Sequence, residues 1–203
     1  MTARIAAPAT VPTAVLALAA ACWVVAIRQM SGMDMGAETE LGSFGFYVAT
    51  WVPMMAAMML PGAVPAMSRT RTRAGAASLL FPLSYLAVWT VVGVAVYALY
   101  RPHSAVVAGV LTIAVGVYEL TPLKRECRRR CRLDVRSGLK LGLWCVGSSI
   151  GLMVMFVALG AMSVVWMSIV AALVLAQKLL PPNAYIDAPV ALAIVALGIG
   201  VAL

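Results

Sequence analysis

The residues best suited to chemistry in this chain are soft sulfur donors. Met54, Met55, Met58 and Met59 lie in one apolar stretch. The pairs Met54/Met58 and Met55/Met59 are four apart, so each pair shares a helix face. Thioethers are soft ligands that select Cu(I) over hard cations. The same four side chains would also serve as adaptable apolar filler. Met33-Asp34-Met35 differs in setting, because its surroundings are polar and such a loop has no packing need for methionine. Two thioethers flanking an acid, with Met30 nearby, suit weak capture of a soft cation. A loop without function is the competing reading.

Cys127 and Cys131 form a C-x3-C pair, placed on one face if the segment is helical. Arg125, Arg128, Arg129, Arg130 and Arg132 surround them and are expected to favour the thiolate, the ligating form. Two thiolates hold Cu(I), or half of a zinc site. A pair is a weaker signal than four ligands at zinc-finger spacing, and inert structural cysteines fit equally. Glu119 either pairs with Lys124 or Arg125, or lines an ion path, since carboxylates in membrane helices are costly unless partnered or functional. His103, the single histidine, suits an interface position. The chain has no second histidine, no glycine-rich phosphate loop and no zinc-protease motif, so nothing supports nucleophilic catalysis and no enzyme is expected.

The elements that would hold these residues are membrane helices. Of the 203 residues, 64% are hydrophobic and 11% charged, far from the roughly 25% charged residues of a soluble domain. A bilayer accommodates that excess, and one crossing needs about 20 apolar residues. Spans are predicted at about Val11 to Ile27, Phe44 to Met67, Ala76 to Leu99 and Ser104 to Thr121. Leu141 to Ala176 carries no charge and suits two helices joined near Gly160; a last span runs from Ile186 to Leu203. The expected fold is therefore a single all-α domain over residues 1–203, a polytopic bundle of about six or seven transmembrane helices. Pro53 and Pro61 should kink or break the second span. Gly147-Ser148-Ser149 and Gly151 form a small-residue patch suited to close helix packing.

The net charge of +8 falls mainly in Arg69, Arg71 and Arg73 and in the segment from Lys124 to Lys140, read as basic loops. That distribution fits the positive-inside rule and gives no reason to expect nucleic acid. It predicts a plasma-membrane protein with a cytoplasmic amino terminus and an outside carboxyl terminus. The Met33 loop and His103 would then face outward, with Arg28 on the disfavoured side. Cys22 and Cys145 fall in apolar segments, and no disulfide framework is expected.

Several segments carry a family resemblance. They are Trp51 to Pro65 (WVPMMAAMMLPGAVP), Ser84 to Trp89 (SYLAVW), Tyr118 to Cys127 (YELTPLKREC), Leu152-Met153 and Trp166-Met167. Together they resemble the predicted metal-binding integral membrane proteins, domain-of-unknown-function family 2182, some of which are described as copper chaperones. The resemblance covers about Phe44 to Leu180. It implies metal binding, with copper as the metal, and suggests a cysteine cluster of the form C-V-G-C-C. Here the corresponding residues are Cys145-Val146-Gly147-Ser148-Ser149, so two soft ligands have become hydroxyls. A family glutamate before the hairpin lysine is replaced by Gln177, ahead of Lys178. The expected function is copper handling, delivery or transport in the lipid bilayer, serving a membrane cuproenzyme. The alternative is a non-catalytic accessory subunit of a larger membrane complex.

Overall fold

A computed structural model describes residues 10–31, 41–69, 76–133, 137–161, 163–180 and 184–203. These residues form an all-α bundle in the order α1 (Thr10–Met30), α2 (Phe44–Arg69), α3 (Ala76–Leu99), α4 (Ala105–Glu119), α5 (Pro122–Leu133), α6 (Gly138–Gly160), α7 (Val164–Leu179) and α8 (Ala184–Ala202). All but α5 are apolar. Within α1, α2, α3 and α6 lie four stretches long and apolar enough to cross a membrane unaided. The pair α4–α5 would make a fifth span but bends by 64°, and α7 and α8 are shorter. The six or seven expected crossings thus correspond to seven apolar helices, of which four have full spanning length. Val91, Val117 and Leu192 are more than half exposed, as lipid-facing side chains would be.

The basic segment after Thr121, expected to be a loop, begins with a helix. Pro122 occupies the first helical position, where its missing N–H and fixed φ do no harm. The Thr121 hydroxyl accepts from the Lys124 amide at 3.4 Å. Glu126 then accepts from Arg129 at 2.9 Å and Arg130 at 2.7 Å, one turn on. Those bonds hold the exposed Glu126 carboxyl down at about 2. Six basic residues in twelve exclude α5 from the hydrocarbon layer, so it lies across the end of the bundle.

α2 continues as one helix through Pro53, Pro61 and Pro65, so the prolines do not break it. It is the most enclosed of the helices together with α6. The Trp51 indole donates to the Trp89 carbonyl at 2.9 Å and ties α2 to α3. Lipid supplies no hydrophobic drive between helices, so close packing and such bonds hold the bundle together. α4 and α8 approach closely: a Cβ added at Gly109 would lie 2.6 Å from the Gly198 carbonyl oxygen.

The two ends of the bundle differ. At one, Tyr97 donates to the Gly42 carbonyl at 3.1 Å and packs on Phe44 and Tyr47. His103 lies at this end, with Nε2 3.2 Å from the Ala158 carbonyl just before the Gly160 turn. The other end carries α5.

Candidate metal centre

α5 turns an unusual face inward. Lys124, Cys127 and Arg128 are buried and Cys131 is half-buried, which is a helical stripe of two cations and two thiols. Each cation finds a partner. Lys124 pairs with Glu119 at the end of α4, and Arg128 pairs with Asp187 on α8. Arg128 also donates from Nη2 to the Gln177 carbonyl at 2.8 Å, and the Gln177 amide donates to Glu119 at 2.7 Å. Burial pulls the Lys124 ammonium below its ordinary value, against the opposing pull of Glu119. This buried network clamps α5 to α4, α7 and α8, because removing any one charge would strand its partner. Of the two cations expected as partners of Glu119, Lys124 is the one that pairs with it, and Arg125 is exposed.

The clamp fixes where the thiols point. Cys127 lies against the backbone of Gly147 on α6, where an added Cβ would come within 2.6 Å of its sulfur. Cys131, one turn further, reaches a cavity of about 240 Å³ bounded by α2, α5, α6 and α7. Cys145 opens onto the same cavity from α6, with Ser148 and Ser149 beside it. The Cys131 sulfur is 3.8 Å from the Ser148 hydroxyl. Cys127 is not among the residues lining this space.

A donor chain reaches Cys145. Lys178 on α7 donates to the Tyr85 hydroxyl at 3.0 Å, and that hydroxyl lies 3.1 Å from the Cys145 sulfur. With its oxygen accepting from lysine, the tyrosine proton is free to point at sulfur. The Lys178 ammonium also lies 3.7 Å from the Met59 sulfur. Its stem crosses Gly62, and a side chain there would collide with it.

The expected thiolates are not what this environment favours. Burial pushes the Cys127 thiol up, with Arg130 pulling the other way. Burial and then the neighbouring Cys145 push Cys131 up to about 12, against the smaller effect of Lys178. Three of the arginines that sequence placed beside the pair are engaged by carboxylates: Arg129 and Arg130 by Glu126, Arg128 by Asp187. Desolvation therefore outweighs their field.

Of the other expected ligands, Met54, Met55, Met58 and Met59 are all buried in the core, and the Met59 sulfur faces the Lys178 ammonium. Met33, Asp34 and Met35 lie outside the described residues. Sequence reasoning did not assign Cys145, Tyr85 or Lys178 to the site. The segments that carry the family resemblance, and the departures from it at Ser148, Ser149 and Gln177, pointed near them. Among the described residues no three or more His, Cys, Asp or Glu side chains cluster as a metal site. Two thiols suit a soft ion content with few ligands, whereas zinc takes four.

An all-α protein of apolar helices with a thiol-lined cavity under a basic end helix is the class these features define. The family described as PpoB2, copper chaperone, matches residues 48–201, and the chain belongs to that family. Comparison with curated proteins and with solved structures gives no match.

Proposed function

We propose that this protein carries Cu(I) as cargo, holding it between the Cys131 and Cys145 sulfurs for delivery to a membrane partner such as a cuproenzyme. The observation that carries this reading is that two thiols from different helices line one cavity. Family membership supports copper as the metal and the softness of sulfur supports the monovalent ion. On binding, both thiols give up their protons, and the Tyr85 hydroxyl donates to the Cys145 sulfur, a bond that strengthens as the sulfur becomes anionic. Met59 stands close enough to Lys178 to be a third, weaker donor if that lysine moves.

In this reading the protein sits in the plasma membrane with α5 and the cavity on the cytoplasmic side, the amino terminus inside and the carboxyl terminus outside, as the basic α5 favours. An impermeant thiol reagent added to intact cells should then leave Cys131 untouched, and labelling from outside would reverse the orientation.

The test is a Cu(I) titration of the purified protein against a chromophoric chelator. Wild-type protein and Cys127→Ser should bind one copper per chain. Cys131→Ser and Cys145→Ser should each weaken binding by at least about tenfold. Wild-type protein that stays copper-free, or a Cys145→Ser variant that binds as wild type does, would overturn the assignment.

A further inference from the structure

The charges around the cavity bear on the form in which copper arrives. Arg128, Arg132 and Lys178 line it, and no carboxylate does so among the described residues. Asp187 offsets Arg128 from behind. Lys178 is held by a neutral hydroxyl and a thioether, and neither balances its charge. A bare or cationic copper species entering this space meets positive charge first. An anionic one is drawn in. The volume agrees: about 240 Å³ is several times the roughly 30 Å³ share of one water, more than a closed two-sulfur ion needs. Ser148 and Ser149 add polar hydroxyls to the wall.

Resting on the copper reading above, we propose that the substrate is an anionic Cu(I) complex of two small-molecule thiolates, taken up by ligand exchange, with Lys178 as its counter-cation. The exchange balances without an oxidant or reductant. The Cys131 sulfur bonds to Cu(I) as one carrier sulfur leaves, and the Cys131 proton passes to that departing thiolate, which exits as a neutral thiol. Cys145 repeats the step with the second carrier ligand. Copper stays Cu(I), two protons move from protein thiols to carrier thiols, and the bound species keeps its single negative charge. That charge offsets the Lys178 ammonium, which Gly62 allows to lie along α2 and which reaches Cys145 through Tyr85.

The test compares two carriers of similar sulfur chemistry and opposite charge. Purified protein in neutral detergent is mixed with Cu(I) as its 3-mercaptopropionate complex or its cysteamine complex. Samples are desalted at intervals and copper per chain is measured. The anionic complex should load at least about tenfold faster than the cationic one. Lys178→Gln should cut that ratio several-fold, while Lys178→Arg keeps it, which separates lost charge from lost fold. Equal rates from the two carriers, or a faster cationic carrier, would overturn this inference while leaving Cu(I) binding intact. An undiminished ratio in Lys178→Gln would remove Lys178 from the role. No loading from either carrier would overturn the copper reading itself.

Discussion

Gln177 on α7 donates from its amide to one carboxylate oxygen of Glu119 on α4, at 2.7 Å, while the other oxygen faces the Lys124 ammonium. A glutamate at 177 would instead set two carboxylates against each other, and only an added proton or a cation would relieve them. The glutamine makes this junction self-sufficient. Removing one charge should therefore be worse than removing both. Glu119→Gln leaves Lys124 buried without its counter-ion and should cost about 3–5 kcal/mol, whereas Glu119→Leu with Lys124→Met should be near neutral or stabilising. Thermal unfolding in detergent checks the order. A double variant no more stable than the single one would show that the pair is not the clamp described here.

The Cys131 thiol gives a pH prediction. An exposed cysteine titrates near 8.5, and its alkylation rate levels off once the thiolate is fully formed. With Cys131 pushed up to about 12, the thiolate is scarce at neutral pH. Its alkylation in metal-free protein should rise about tenfold per pH unit from pH 7 to 10 without a plateau. The sign follows from burial favouring the uncharged form in the folded protein. A plateau below pH 9, read by mass spectrometry of the labelled peptide, would mean that the arginine field governs this thiol after all.

Ser148 offers a gain-of-function test. Its hydroxyl is 3.8 Å from the Cys131 sulfur and lines the shared cavity. Ser148→Cys puts a third soft ligand within reach at little change in volume, and should tighten Cu(I) binding by about tenfold or more. Ser148→Ala should leave affinity within about twofold. If the cysteine variant binds copper no more tightly than wild type, the cavity is not the binding site.

Much of the architecture was legible in the sequence, because hydropathy marks helices that face lipid whatever they pack against. The breaks near Gly160 and before Pro122 were readable for the same reason. α5 was not, since six cations in twelve residues read as a loop when their partners, Glu119 and Asp187, stand on other helices. Its inward stripe of Lys124, Cys127, Arg128 and Cys131 becomes intelligible only with those carboxylates in place. The candidate site was half legible. Spacing of four marks neighbours on one helix, so it paired Cys131 with Cys127. It carries no information about a residue on the next helix, and Cys145, in a run without charge, gave no signal of its own. The arginines misled on thiol ionisation because sequence shows charge density but not burial.

Copper K-edge X-ray absorption of protein loaded with one equivalent of Cu(I) tests the central claim most directly, comparing wild type with Cys127→Ser, Cys131→Ser and Cys145→Ser. The structure predicts a low-coordinate, sulfur-dominated Cu(I) centre in wild type that is unchanged in Cys127→Ser. One sulfur should be lost in Cys131→Ser and one in Cys145→Ser, since those two thiols line the cavity. A spectrum altered by Cys127→Ser but untouched by Cys145→Ser would contradict it, and would return the site to the C-x3-C pair on α5.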